Sequence, residues 1–167
     1  LIRADIQQHG AIPFWHFMEL ALYAPGLGYY SAGKTKFGAA GDFITAPELG
    51  SLFARSVARA TAPVLRAGED ADFLEVGGGS GAFAAAALLE WERLGSLPRL
   101  YRILDRSAEL RARQHATLLA KVPHLMHRIE WPDTPPEAAW RGVLFANEVI
   151  DALPTPRFSI RDGEVFE

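Results

Sequence analysis

Asp72-Phe-Leu-Glu-Val-Gly-Gly-Gly-Ser-Gly81 is the most informative segment of this 167-residue chain for its fold class. Its apolar residues predict a short buried strand over residues 72–76, and its glycines predict a tight turn. The alanine-rich segment from Ala82 to Leu89 favours a helix that begins at that turn. A strand, a glycine turn and a helix N-terminus together indicate a nucleotide-type site, because small residues let a ligand approach the backbone closely.

The spacing of the glycines alone leaves two ligands open. Gly77, Gly79 and Gly81 fit a methyl-donor site, whereas Gly77 and Gly79 with Ala82 fit a dinucleotide fingerprint. Glu75 favours the methyl donor, because a carboxylate beside the turn repels a pyrophosphate and attracts the ammonium and sulfonium groups of S-adenosylmethionine. A glycine turn that holds no ligand is the third interpretation.

From residue 71 onward, short strands alternate with helices. Further strands are predicted at Leu100–Leu104, His127–Trp131 and Gly142–Ala146, with helices over residues 81–93 and from Ser107 to about Ala120. This alternation predicts an α/β, Rossmann-like domain, in which a partial parallel sheet is covered by helices on both faces. Ligands then lie at the carboxyl ends of the strands. Residues 157–167 predict a β-hairpin around Asp162-Gly163.

Residues 1–70 are predicted to form an N-terminal helical segment with a pocket-closing loop, and residues 71–167 the Rossmann-like core. Helices are expected over residues 2–9 and 14–22. A longer helix is expected from about Ala46 into the low sixties, capped by Thr45 and Glu48 and kinked or ended by Pro63. Its predicted buried face consists of Leu49, Leu52, Phe53 and Val57.

Composition narrows the possible partners. The net charge of -3 gives no general attraction to nucleic acid or to an anionic membrane. The chain has no cysteine and its five histidines lack metal-ligand spacing, so no metal site is predicted. Without an apolar run of ~20 residues or a visible signal peptide, no membrane insertion and a cytoplasmic location are expected. Four strands make a narrow sheet and the chain starts at Leu1, so we expect a fragment of a longer protein.

Acidic residues follow two of the predicted strands. Asp105 ends the second strand, where an acid accepts hydrogen bonds from the ribose hydroxyls of an adenosine ligand. This contact serves NAD and S-adenosylmethionine alike, and the alternative is an acid that only begins the helix at Ser107. Asn147, Glu148 and Asp151 follow the fourth strand, where a substrate faces the donor and can be oriented for reaction. Their alternative role is to cap a short helix.

Three blocks of the sequence resemble those of one known family. They are Gly41-Asp-Phe-Ile-Thr-Ala-Pro-Glu48, Glu75-Val-Gly-Gly-Gly-Ser-Gly81 and Asn147-Glu-Val-Ile-Asp-Ala-Leu-Pro154. They are similar to the signature blocks of the MidA family of bacterial and mitochondrial S-adenosylmethionine-dependent methyltransferases, which includes the arginine methyltransferase that serves as a mitochondrial complex I assembly factor. Ala21–Tyr30 is similar to the family's N-terminal block.

The resemblance implies a class I methyltransferase fold, S-adenosylmethionine as cofactor and a role for each matching residue. The implied donor-pocket residues are Gly77, Gly79, Gly81, Glu75 near the methionine part, Asp105 at the ribose, and Asp42, Phe43 and Thr45 closing the pocket. Glu148 and Asp151 would face the acceptor, a protein arginine such as one in a respiratory complex subunit. Family members continue well beyond position 167 and commonly have Glu where this chain has Asp105. An NAD-dependent oxidoreductase and a non-catalytic assembly module are the alternatives to this function.

Overall fold

The computed structural model describes residues 1–31, 49–68, 70–137 and 139–166. The chain divides into two compact units, one made of residues 1–34 with 148–167 and the other of residues 35–147. The predicted boundary at residue 70 lies inside the second unit. The elements, in chain order, are α1 (Ile2–His9), α2 (Phe14–Tyr23), α3 (Ser51–Arg66), β1 (Asp72–Val76), α4 (Ala82–Arg93), β2 (Tyr101–Leu104), α5 (Ala108–Lys121), a 3₁₀ helix (Pro123–Arg128), β3 (Ile129–Glu130), β4 (Gly142–Ala146), a 3₁₀ turn (Ile150–Ala152), β5 (Ser159–Arg161) and β6 (Glu164–Phe166).

The second unit is built on a parallel sheet with the strand order β3-β2-β1-β4, which confirms the predicted α/β fold. β1 is central, with Phe73 opposite Tyr101 on one side and Val143 on the other. The chain leaves β1 toward β2 and later returns to β4 on the opposite side. Open parallel sheets bind ligands at the carboxyl ends of the strands where the order reverses in this way. The glycine turn after β1 lies at that point.

Aromatic packing fixes β1 and α4 to each other. Phe73 stacks on Tyr101 with ring centroids 5.3 Å apart, and its ring is 4.7 Å from Trp91. Phe83, in the first turn of α4, stacks on Phe145 of β4 at 4.4 Å. Four of these five aromatic side chains are buried, and Phe145 is half-buried. The two elements that flank the glycine turn are therefore anchored in the core.

An ion cluster around the buried Asp72 lies at the end of the sheet opposite the glycine turn. Asp72 begins β1 and is buried. Its Oδ1 accepts hydrogen bonds from Arg99 Nε at 2.9 Å and from the Leu100 amide at 3.2 Å. Its Oδ2 accepts from Arg99 at 2.8 Å and from Arg102 at 2.7 Å. These bonds join the start of β1 to the segment that enters β2 and to β2 itself.

Helix α3 differs from the prediction in its buried face. Leu49 and Leu52 were expected in the core, but they are 76% and 77% exposed. Phe53 and Val57 only pack against the edge of the core. The buried positions of α3 are Ala54, Ala58, Ala62 and Leu65. Small residues four apart let α3 lie close to α4, and the Trp91 indole N–H donates to the Ala58 carbonyl at 2.9 Å.

Two boundaries also differ from the prediction. Pro63 was expected to kink or end α3, yet the helix continues to Arg66 and the Ala67 amide bonds to the Pro63 carbonyl at 3.1 Å. The expected strand at residues 127–131 is only the two-residue β3, because the 3₁₀ helix occupies the residues before it. The predicted cap at Thr45 and Glu48 and the start at Ala46 lie outside the described residues. No helix among the described residues is long and apolar enough to cross a membrane.

The first unit contains the two N-terminal helices and the predicted hairpin. β5 pairs antiparallel with β6, with Ser159 opposite Phe166. Asp162 and Gly163 both have positive φ, 52° and 82°, as a two-residue type I′ turn requires. α1 and α2 begin at the predicted residues, and both His9 and His16 bond to the carboxylate of Asp5 at 2.8 Å.

Replacing Ala58 with leucine should destabilise the protein by about 1–3 kcal/mol, because added methylenes cannot fit a closely packed interface. Ala58 is fully buried between α3 and α4. Urea denaturation gives the change in unfolding free energy. Ala60→Leu is the matched control on the exposed face of the same helix, with an expected change within about 0.5 kcal/mol. Equal effects of the two substitutions would contradict the described packing.

Candidate functional site

The turn between β1 and α4 requires glycine for its backbone shape. Gly77, Gly79 and Gly81 have φ values of 72°, 52° and 82°, in the left-handed region that side chains disfavour. The Gly77 amide bonds to the Leu104 carbonyl of β2 at 2.9 Å, and the Gly81 amide to the Gly78 carbonyl at 2.9 Å. Helix α4 begins at the next residue, so its positive N-terminal end lies at the turn.

The glycines of the turn have different neighbours. A Cβ added to Gly79 would meet nothing within 4 Å, so this position is open to a ligand. A Cβ on Gly78 would lie 2.6 Å from the Ile103 side chain, and one on Gly81 3.1 Å from the Gln114 backbone. Gly78 and Gly81 therefore allow the turn to pack against β2 and α5. No sequence motif indicated a role for Gly78, since its spacing fits neither the methyl-donor nor the dinucleotide pattern.

Asp105 lies directly after β2 and is only 9% exposed. Its Oδ1 accepts the Ser107 amide at 3.0 Å, and its Oδ2 accepts the Gln114 amide nitrogen at 2.9 Å. Burial raises the pKa of this carboxyl above its ordinary value. The hydrogen bonds from Ser107, Gln114 and Gly78 and the charge of Arg111 only partly offset this rise. The predicted ribose-binding acid therefore lies at the carboxyl edge of the sheet, beside the glycine turn. Ser107 caps α5 as predicted, accepting the Leu110 amide.

Gln114 is a site residue that the sequence analysis missed. It is fully buried on α5 and bonds to Asp105, to the Gly79 carbonyl at 3.2 Å and to the Trp131 indole at 3.0 Å. A signal was present, because Gln114 is a polar residue four positions before Leu118 on the buried face of an amphipathic helix. A polar residue at such a position indicates a buried hydrogen-bond network.

Glu75 is buried in β1, with 3% exposure. The Tyr101 hydroxyl donates a hydrogen bond of 2.7 Å to its carboxyl group. Burial raises the pKa of Glu75 to about 8. The charge of Asp105 adds to this rise, whereas the hydrogen bond from Tyr101 opposes it. The carboxyl is thus largely protonated at neutral pH. The sequence pattern suggested a fixed negative charge at Glu75, because the extent of its burial is not evident from the sequence.

The predicted acceptor-side residues fall in two units. Asn147 ends the second unit, whereas Glu148 and Asp151 belong to the first. Glu148 is exposed and has a φ of 52°, a conformation that is uncommon and strained for a side chain of this kind. Asp151 is exposed in the 3₁₀ turn.

Tyrosines of the N-terminal block accompany Asp151 in the first unit. Tyr23 stacks on Tyr30 at 5.5 Å and donates its hydroxyl to the Ala152 carbonyl at 2.9 Å. Burial raises the pKa of Tyr30, and the charge of Asp151 raises it further. Two of the sequence blocks, Ala21–Tyr30 and Asn147–Pro154, therefore meet in this unit through residues 148–154. Their tyrosine and acidic groups can interact with a cationic ligand by charge and ring contacts.

Two further predictions concern the remainder of the site. Asp42, Phe43 and Thr45 lie outside the described residues, so their pocket-closing role stays a prediction. The described part of the chain contains no group of three or more His, Asp or Glu side chains arranged to hold a metal ion.

Comparison with known proteins identifies relatives of this fold. The sequence model of a family of S-adenosyl-L-methionine-dependent methyltransferases matches residues 52–167. A COG1565 superfamily protein from Burkholderia thailandensis, solved with S-adenosyl-homocysteine bound, is 43% identical with a TM-score of 0.83. The match covers 99% of this chain and 47% of that chain. A structure of an uncharacterized COG1565 superfamily protein from the same bacterium is 41% identical with a TM-score of 0.78, over 99% of this chain and 45% of its own.

A curated relative is more distant. The mitochondrial protein arginine methyltransferase NDUFAF7 homolog of Drosophila melanogaster is 27% identical over 186 aligned positions, which cover 98% of this chain and 42% of the relative. The chain therefore spans less than half the length of these relatives.

The raised pKa of Glu75 predicts a pH-dependent stability. The ordinary pKa is 4.5 and the folded value about 8, so between these values the folded state binds more protons than the unfolded state. The free energy of unfolding should then fall as pH rises through this window, by at most ~1.4 kcal/mol per pH unit from this group. Glu75→Gln removes the titration, so its stability relative to wild type should rise from pH 5 to pH 8.

Urea unfolding at pH 5, 6, 7 and 8 measures this difference. Glu137→Gln is the matched control, because it neutralises an exposed glutamate and should leave the pH profile as in wild type. A Glu75→Gln profile parallel to that of wild type would contradict the buried, protonated carboxyl.

Proposed function

Because the chain belongs to a family of S-adenosyl-L-methionine-dependent methyltransferases, we propose that it binds S-adenosylmethionine at the carboxyl edge of its parallel sheet. The observation that carries the proposal is the left-handed glycine turn, open at Gly79 and tied through Gln114 to the buried Asp105. The Burkholderia relative solved with S-adenosyl-homocysteine supports the same ligand. The family match favours this donor over the dinucleotide that the Ala82 spacing left open.

Each residue of the turn region has a distinct task in this proposal. Gly79 lets the donor approach the backbone, and the N-terminus of α4 lies beside it. Asp105 accepts hydrogen bonds from the ribose hydroxyls. Glu75 serves the methionine part, where the positive charge of the ligand favours the ionised carboxylate. Donor binding would then be accompanied by loss of a proton from Glu75.

The reaction proposed for the whole protein is transfer of the donor methyl group to a nucleophile. The bond between sulfur and the methyl carbon breaks as the new bond forms, leaving the neutral thioether S-adenosylhomocysteine. A nitrogen nucleophile loses one proton to a base. Such a reaction depends mainly on aligning the nucleophile with the sulfur–carbon bond. Asn147, Glu148 and Asp151 are the residues that we assign to the acceptor side.

We propose a protein arginine as the acceptor. The arginine methyltransferase relative from Drosophila supports this choice. Glu148 and Asp151 also support it, since two carboxylates can bind both edges of a planar guanidinium and aim one nitrogen. A respiratory complex subunit is the corresponding partner by resemblance.

The donor site is tested by calorimetry with S-adenosylhomocysteine and with NAD. The protein should bind the former and not the latter. Gly79→Val should abolish binding, because a branched side chain fills the space that the ligand needs. Gly95→Val is a matched control, since Gly95 also has positive φ, 61°, and open surroundings, but lies at the end of α4. Binding of NAD alone, or unchanged affinity in Gly79→Val, would refute the proposed site.

The acceptor side is tested with Glu148→Gln in the full-length protein. Affinity for S-adenosylhomocysteine should stay within about threefold, or under ~1 kcal/mol. Methyl transfer to arginine peptides should fall by about a hundredfold, the size expected for a lost acid–base group. Asp162→Asn is the control, because Asp162 has the same φ of 52° in the hairpin turn. Normal turnover, or a loss explained by a lower melting temperature, would remove Glu148 from the site.

A further inference from the structure

The amide of Gln114 can adopt only one orientation in its hydrogen-bond network. An indole N–H can only donate, so Gln114 Oε1 must face Trp131 Nε1 at 3.0 Å. A backbone carbonyl can only accept, so Nε2 must face the Gly79 oxygen at 3.2 Å. The second Nε2 proton is directed to Asp105 Oδ2 at 2.9 Å. All three partners agree, so the side chain is held in a single position.

These three bonds join the ends of three neighbouring strands. Gly79 belongs to the turn after β1, Asp105 follows β2, and Trp131 follows β3. Gln114 itself comes from α5, and it is fully buried beneath the glycine turn, where Gly81 approaches its backbone. A change in its position therefore moves the turn and the acid together.

Asp105 depends on this partner for its orientation. Its Oδ1 is held by the Ser107 amide at the start of α5, so Oδ2 is the oxygen that Gln114 fixes. The other groups that face this carboxylate are the Gly78 amide from the turn, the Arg111 side chain from α5 and the Glu75 carboxyl from β1. Gln114 hydrogen-bonds both to the acid and to the carbonyl of the open glycine of the turn.

We propose that Gln114 is a positioning residue for donor binding, which holds the Asp105 carboxylate and the Gly79 turn in the arrangement that receives the ribose. This inference rests on the proposed function, since it assigns the ribose contact to Asp105. In this proposal Gln114 makes no contact with the donor itself and acts through these two partners. Its loss should weaken donor binding, because Asp105 would be misplaced, while the fold is retained.

Gln114→Leu tests the inference by removing the amide at similar volume. Affinity for S-adenosylhomocysteine, measured by calorimetry, should fall about tenfold. In a double-mutant cycle with Asp105→Asn, the two losses should be strongly non-additive, because both changes remove the same contact. Leu118→Ala is the matched control on the same buried face of α5. It should lower the melting temperature and leave the affinity of the folded protein unchanged.

Gln114→Glu adds a readout that a purely structural role would not move. Glutamic acid keeps an acceptor for Trp131 and, when protonated, can donate its single proton to Asp105, whereas the bond to the Gly79 carbonyl is lost. Two carboxyls this close share a proton, and the pair loses it as pH rises. The ratio of variant to wild-type Kd should therefore be larger at pH 8.5 than at pH 5.5, by about tenfold or more. Taking the ratio removes titrations that the substitution leaves unchanged, such as those of the free ligand.

Four outcomes would overturn the inference. Wild-type affinity in both Gln114 variants refutes it and leaves the proposed function standing. Additive losses with Asp105→Asn, or a Kd ratio independent of pH, show that Gln114 acts only on the fold. Failure of the unmodified full-length protein to bind S-adenosylhomocysteine refutes the proposed function, and this inference with it.

Discussion

The close approach of the glycine turn to α5 is the constraint on which the binding edge depends. Gly78 and Gly81 bring the turn against Ile103 and Gln114 at distances that a side chain would not allow. This packing places the N-terminus of α4, the open backbone at Gly79 and the Asp105 carboxylate on one edge of the sheet. In the proposed site the glycines thus serve two purposes, since Gly79 leaves room for the ligand and Gly78 and Gly81 allow the close packing of the turn.

The sequence was informative wherever structure depends on neighbouring residues. The strand at residues 72–76, the turn and helix α4 follow from an apolar run, glycines and an alanine-rich segment. The Asp-Gly hairpin and the Ser107 cap follow from equally local chemistry. The parallel order of the sheet follows from alternation of strands and helices.

The remainder depends on partners distant in the chain. The distance between α3 and α4 determines whether α3 buries Leu52 or Ala54. This distance cannot be predicted from the local sequence of α3. The raised pKa of Glu75 results mainly from burial under distant parts of the chain, and its hydrogen-bond partner Tyr101 is 26 residues away. Gln114 joins three loops that only the folded sheet brings together. Pattern reasoning therefore found the acid and the glycines of the candidate site, and it overlooked the side chains that orient them.

The ion cluster at Asp72 also affects the opposite end of the sheet. Buried and half-buried residues alternate along β2, so a slip of one residue would also exchange the two faces of that strand. The bonds from Arg99, Leu100 and Arg102 to one buried carboxylate are satisfied in a single alignment. Slippage by one residue would shift β2 by about 3.3 Å along β1, and would carry Asp105 out of reach of Gly78. The charged groups where the strands begin therefore help to set the spacing between Asp105 and Gly78 where the strands end. They do so from a whole strand length away from the proposed ligand.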